Sequence, residues 1–170
     1  MSLRIGQGFD VHAFAEAPGP VVLGGVPVPA DHALAGHSDA DALAHALADA
    51  LLGAACLGDL GRHFPDTDPR WRGADSLGLL AEVVARVGAE GLRPVNADCT
   101  VVAEAPRLAP YTETMAANLS GVLGGAPVSV KATRAEGLGA LGRAEGIACL
   151  AVVLVEGTGP DGRPLEGGGR

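Results

Sequence analysis

The sequence predicts one domain that mixes strands with helices, and three observations lead there. A chain of 170 residues is most simply a single domain with room for a proper core. Its apolar residues alternate every second position in some segments and recur at helical spacing in others. No internal repeat and no linker divides it. Hydrophobic residues make up 48% of the chain but aromatics only 3%, so the core must be built from Ala, Val and Leu. A core so poor in large rings often buries further surface against other subunits.

Taken in order, Leu3 to Val11 reads as a strand, and Gly6 and Gly8 mark a backbone that another element approaches closely. The strand ends in Asp10-Val11-His12. Residues two apart in an extended segment share a face, so Asp10 and His12 project together, roughly 7 Å apart along the chain. Val21–Leu23 and Val26–Val28 flank Gly24-Gly25, the composition of a tight hairpin. Ser38 reads as a helix N-cap with Asp41 at capping-box spacing. Leu43, Leu47 and Leu51 then form a core stripe, and Gly53 supplies the stop. Asp41 and His45 are one turn apart and face away from that stripe. Asp59 to Pro69, rich in Pro and Asp, reads as a shaped loop without regular structure. Ser76–Gly88 is a second helix, 95–103 a strand and 110–119 a third helix. Val128–Thr133 is a strand, 134–146 a Gly-rich loop and 147–155 an apolar strand. Residues 157–170 form a Gly- and Pro-rich tail expected to be disordered, leaving 1–156 as the domain.

Charge and cysteine usage narrow the function. A net charge of −8 argues against nucleic acid or an anionic membrane as partner. The single lysine is Lys131; every other basic residue is arginine. Cys56, Cys99 and Cys149 lack Cys-x-x-Cys spacing and read as buried small hydrophobes in a reducing compartment. The first residues read as a strand without the basic n-region or apolar h-region of a secretory leader, and no apolar run approaches the roughly 20 residues of a membrane span. The expected location is the cytoplasm.

Asp10, His12 and His45 form an Asp-His-His set. They could close three corners of a tetrahedral metal site with the fourth open to a substrate oxygen, or form a hydrogen-bonded cluster without an ion. Asp41 could orient His45 from behind. His37 stands at a helix start, where free N–H groups favour an anion such as phosphate. Gly137 to Gly142 spells the dinucleotide fingerprint, but a strand follows it where a helix is required. Asp10, Asp39, Asp41, Asp59, Asp66, Asp68 and Glu136 make the region acidic. A carboxylate and a phosphate oxygen about 4 Å apart repel by about 4 kcal/mol at an effective dielectric near 20. Divalent cations would therefore have to mediate phosphate binding.

Several blocks together resemble the 2-C-methyl-D-erythritol 2,4-cyclodiphosphate synthase family over about residues 3–156. They are Arg4 to His12, Leu23-Gly-Gly25, His37-Ser-Asp-Ala-Asp-Ala-Leu-Ala-His45, Ala50 to Gly53, Leu57-Gly-Asp59, Phe64-Pro-Asp-Thr-Asp-Pro69, Ala105-Pro106 and Gly142 to Ala148. The resemblance implies an α+β domain whose β-sheet packs against helices on one side, assembled as a homotrimer with active sites between subunits. It implies release of CMP from 4-diphosphocytidyl-2-C-methyl-D-erythritol 2-phosphate by intramolecular phosphoryl transfer, in the non-mevalonate route to isoprenoids. By position, Asp10, His12 and His45 would hold zinc, and Glu136 a second cation such as magnesium or manganese. His37 and Ser38 would meet phosphate. Asp59, Gly61, Phe64, Pro65, Asp66, Thr67 and Asp68 would hold the methylerythritol. The segment Ala103 to Ala109, with Pro106, Arg107 and Leu108, and Thr133 would form the cytidine pocket of an adjoining subunit. Phe9, Arg143 and Glu145 would surround a trimer axis able to take an isoprenoid diphosphate. Arg107 stands where the family commonly has lysine, Ala140 where it often has an aromatic and Ala144 where it often has glycine. Arg134 stands where a threonine is common and would supply charge to the leaving phosphate; it and His37 are the residues assigned a catalytic role. Two rival readings share the same residues: a metal phosphohydrolase, and a non-catalytic binder of isoprenoid diphosphate.

Overall fold

The structure is a computed structural model that describes residues 2–36, 38–65, 67–68, 71 and 73–157. Its strands are β1 (Leu3–Ala13), β2 (Val21–Leu23), β3 (Val26–Val28), β4 (Leu92–Val102), β5 (Val128–Thr133) and β6 (Gly146–Gly157). Its helices are α1 (Ala42–Ala54), α2 (Leu60–His63), α3 (Ser76–Ala89), α4 (Thr112–Val122) and α5 (Gly139–Gly142). A mixed four-stranded sheet runs in the order β1-β6-β4-β5, and β2-β3 is a separate hairpin. β4 and β5 are parallel and joined through α4; the other pairs of the main sheet are antiparallel. The expected α+β domain, with helices against one face of the sheet, is what forms.

The two glycines of β1 set the geometry. A Cβ on Gly8 would lie 1.9 Å from the Ala46 carbonyl oxygen, and one on Gly6 1.8 Å from that of Ala50. Helix α1 therefore rests backbone to backbone on β1, which only glycine in the strand and small residues in the helix permit. Leu43, Leu47 and Leu51 are fully buried beneath it, each contributing about 2 kcal/mol through burial of apolar surface. Leu80, Val83 and Val87 of α3 close the same core.

The opposite face of the sheet is apolar and uncovered in the single chain. Leu3, Ile5, Phe9 and Val11 of β1 are more than half exposed, and Leu150 and Val152 of β6 nearly half. The register places Phe9 opposite Leu150 and Ile5 opposite Leu154, so these side chains form one stripe. Among the described residues no helix is long and apolar enough to cross a membrane.

Several boundaries differ from expectation. The N-cap of α1 is Asp41, not Ser38, because its carboxylate accepts from both Leu43 and Ala44; Ser38 Oγ instead accepts from the Ala40 N–H. Gly53 lies inside α1, which runs on through Ala54. The loop after Asp59 contains the one-turn helix α2, capped by Asp59, and the Gly-rich loop contains α5. β4 begins three residues before the expected start, with a register shift between Pro94 and Asn96. Helix α4 starts at Thr112 and extends to Val122. Gly157 still belongs to β6; the rest of the expected tail lies outside the described residues. Cys56 is exposed, at a φ of +59° after α1, whereas Cys99 and Cys149 are buried as expected. Ala144 has a φ of +56°, the left-handed region that glycine occupies without strain.

Burial pushes the Cys99 thiol up to about 12 and Cys149 well above its ordinary value, so neither forms a reactive thiolate at neutral pH. In the native protein an aromatic disulfide reagent should titrate Cys56 alone, and all three thiols only after denaturation; more than one fast thiol per chain would contradict this packing. Gly8→Ala should destabilise the fold by about 3 kcal/mol or more. Gly88→Ala is the control. It adds a Cβ that meets nothing within 4 Å and should stabilise α3 by about 0.5–1 kcal/mol. Urea denaturation compares them, and equal stabilities would refute the close approach.

Candidate metal site and nucleotide-sized cavity

The approach of α1 to β1 also builds the site. Asp10 and His12 leave the same face of β1 just beyond Gly8, and His45 immediately precedes Ala46 on α1. One ligand atom from each of the three lies within 4.8 Å of the other two. Asp10 Oδ2 is 2.9 Å from His12 Nε2 and 3.1 Å from His45 Nδ1. The imidazole centroids are 5.6 Å apart.

Hydrogen bonds orient the rings. His12 Nδ1 lies 2.6 Å from the Ala35 carbonyl oxygen. A carbonyl can only accept, so Nδ1 carries a proton and Nε2 faces Asp10. His45 turns Nε2 away from Asp10, 2.9 Å from Ser76 Oγ and 3.3 Å from Ser38 Oγ. Burial alone would raise the Asp10 carboxyl, but hydrogen bonds from His12 and His45 outweigh it and hold it well below the usual carboxylate range. The Asp10 carboxylate raises the His12 imidazole above its ordinary value, against a burial that would lower it. Two imidazole nitrogens and a carboxylate oxygen thus converge where only positive charge, a proton or a metal cation, satisfies them. The donor set fits a divalent ion such as zinc, with three protein ligands and a position left open.

Asp41 does not orient His45. It is fully buried and its two oxygens accept from Gly24, Gly25, Leu43 and Ala44. Gly24 and Gly25 have φ of +56° and +68°, so the hairpin turn aims both N–H groups at the start of α1. Asp41 therefore locks the β2-β3 hairpin to the helix that carries His45.

A cavity of about 360 Å³ lies away from the triad, lined by Ala103, Glu104, Pro106, Arg107, Leu108, Ala109, Ala132, Thr133 and Arg134. The structure brings together Ala103, Glu104, Pro106, Arg107, Leu108, Ala109 and Thr133 of the segment expected to meet a cytidine, but not Ala105, whose peptide to Pro106 is cis. Arg134 reaches Glu104 at 2.7 Å, and the Glu104 carboxylate also accepts from Gly137 N at 3.1 Å. Glu136 is exposed between them with a φ of +53°, a strained setting for a side chain.

The remaining candidates are more dispersed. Asp59 accepts from Arg62 N as the cap of α2, Gly61 lies in that helix, and Pro65 and Thr67 follow it. The Phe64 ring is buried, edge-on to Trp71 at 4.9 Å and 5.0 Å from the Arg86 guanidinium. The Asp68 N–H donates to Pro65 O at 3.0 Å. Arg143 and Glu145 pair with each other at the surface. His37, Asp66 and Pro69 lie outside the described residues. Sequence reasoning missed Ser76 and the Ala35 carbonyl, which hold the two rings. Only the three-dimensional return of α3 to His45 reveals Ser76.

An α+β domain carrying an Asp-His-His metal set on a strand end and a facing helix defines a metal-site protein fold. The chain matches the YgbB family over residues 3–156 and belongs to it. It is 60% identical over 158 residues to the 2-C-methyl-D-erythritol 2,4-cyclodiphosphate synthase of Laribacter hongkongensis, covering 92% of this chain and 97% of that one. A solved structure of 2C-methyl-D-erythritol-2,4-cyclodiphosphate synthase in a CDP-bound form is 37% identical. It superposes with a TM-score of 0.81 over 90% of this chain and all of that one. The bifunctional IspDF of Campylobacter jejuni is 41% identical, with a TM-score of 0.86 over 91% of this chain. This chain spans 42% of that longer protein.

Asp41→Ala should lower the stability of the metal-free protein by about 3 kcal/mol, because four backbone donors lose their acceptor. Urea denaturation measures it, and a loss below about 1 kcal/mol would show that the hairpin does not depend on this carboxylate.

Proposed function

We infer that this chain converts 4-diphosphocytidyl-2-C-methyl-D-erythritol 2-phosphate into 2-C-methyl-D-erythritol 2,4-cyclodiphosphate and CMP. It is a phosphorus–oxygen lyase of the non-mevalonate isoprenoid route. An oxygen of the 2-phosphate attacks the β-phosphorus, the bond to the CMP oxygen breaks, and CMP leaves with the electron pair. The observation that carries the reading is the convergence of Asp10, His12 and His45 on one point, in a chain whose near relatives bear that name.

The residues divide the work. Asp10, His12 and His45 would hold zinc, which when bound polarises a diphosphate oxygen as a Lewis acid. Glu136 would hold a second cation, magnesium or manganese. His37 and Ser38 would position phosphate near the start of α1, and Asp59, Gly61, Phe64, Pro65, Asp66, Thr67 and Asp68 would orient the methylerythritol. The cavity around Ala103, Pro106, Arg107, Leu108, Ala109 and Thr133 suits a cytidine. Arg134 would stabilise charge on the departing phosphate from the rim of that cavity, with Glu104 fixing its guanidinium.

None of the triad lines that cavity, and the apolar stripe on β1 and β6 is uncovered. Both facts favour a homotrimer in which one subunit supplies the metal and its neighbour the cytidine pocket. Phe9 stands on that stripe, which suits an axis where Arg143 could meet an isoprenoid diphosphate. A biosynthetic enzyme of this kind would act in the cytoplasm.

Phosphorus NMR and CMP release test the reaction. Wild type should give one product with both phosphorus atoms in a ring; inorganic phosphate would indicate a phosphohydrolase instead. His45→Ala should lower turnover at least a thousandfold. Arg134→Ala should lower it well over tenfold at saturating substrate, and unchanged turnover would remove Arg134 from the chemistry.

A further inference from the structure

Ser76 is the first residue of α3, far from His45 in sequence, yet its hydroxyl ends 2.9 Å from His45 Nε2. The side chain is 1% exposed, so its polar atom must be satisfied within the protein. Ser76 Oγ–H donates to Asp39 Oδ1. A hydroxyl has one proton, so its oxygen can serve His45 only as an acceptor, and His45 Nε2 must be the donor. For His45 to ligate a cation through Nδ1, its proton must sit on Nε2, where Ser76 Oγ accepts it, and the ion then takes the place of the hydrogen bond between Nδ1 and Asp10. Asp39 is held in turn, accepting from Ser76 N at 3.1 Å through Oδ2 and from Asp41 N at 3.3 Å.

We propose that Ser76 and Asp39 are positioning residues for the metal site, a carboxylate–hydroxyl–imidazole relay that presents His45 Nδ1 to the cation. His12 receives the same service from a backbone carbonyl, which no side-chain change can remove. His45 instead depends on a side chain from α3, so the relay couples the second helix to metal affinity. The relay also raises the electron density on the His45 ring, because an imidazole that donates to a carboxylate-backed acceptor is a better ligand. The proposal rests on the reading of Asp10, His12 and His45 as metal ligands.

Zinc affinity, measured by competition with a chromophoric chelator, separates the two. Wild type should bind one zinc per chain and His45→Ala should lose it; absence of zinc binding by wild type overturns the metal reading and the relay with it. Ser76→Ala should bind zinc 10–100-fold more weakly, with the metal-free melting temperature little changed and the visible absorption of the cobalt-substituted protein shifted. Asp39→Asn can keep one oxygen on the hydroxyl but loses the charge and the second acceptor, since its amide NH2 cannot accept from the Ser76 N–H. Because the hydroxyl itself stays in place, it should weaken binding less than Ser76→Ala. The double variant should be no weaker than Ser76→Ala, since the two act as one unit. Zinc affinity of Ser76→Ala within twofold of wild type, while His45→Ala has lost the metal, overturns the relay. Where Ser76→Ala does not fold, Asp39→Asn decides: unchanged affinity and an unchanged cobalt spectrum refute the proposal.

Discussion

The contact on which this molecule depends is the seating of α1 on the bare backbone of β1 at Gly6 and Gly8. With carbonyl oxygens of Ala46 and Ala50 under 2 Å from where Cβ atoms would stand, the two elements have one separation and one rotation. That contact sets the thickness of the core, and it determines what lies on either side of it. His45 precedes Ala46, and Asp10 is the next inward residue after Gly8, so the same two glycines that let the helix dock also bring an imidazole to a carboxylate. Fold and site are one constraint seen from two directions.

The site is rigid because each of its parts is fixed from outside. The ring of His12 is held by a main-chain carbonyl and that of His45 by Ser76, while Asp41 ties the glycine turn of the hairpin to the start of α1. Such outer contacts keep converging acceptors from relaxing apart when no cation separates them. The second region, around Glu104 and Arg134, follows a different plan. An exposed arginine and the Gly137 N–H, on either side of the strained Glu136 in the chain, are pinned by the one carboxylate of Glu104, at the rim of a cavity that the triad does not enter.

Much of this was legible in the amino acids. The alternation of Asp10 and His12 predicts their shared face, the Gly24-Gly25 pair predicts the hairpin, and the leucines of α1 predict its buried side. What escaped was whatever depends on competition between partners. Ser38 and Asp41 both make good caps, and only the nearby hairpin decides for Asp41, whose two oxygens satisfy donors from the hairpin and the helix at once. Helix α2 escaped because one turn held by a single cap has no periodicity to detect. Ser76 reads as an ordinary helix start, and its meeting with His45 is a product of tertiary folding. Cys56 was expected to be buried, but it sits at a left-handed exit from α1 that turns it outward.

The central claim is that two imidazoles and one carboxylate of a single chain share one cation with a position left for substrate oxygen. X-ray absorption at the edge of the metal that the purified protein retains tests it directly. The account predicts a first shell of two imidazole nitrogens, one carboxylate oxygen and one exchangeable oxygen, with no sulfur. A shell containing sulfur, or one with a single imidazole, would contradict it.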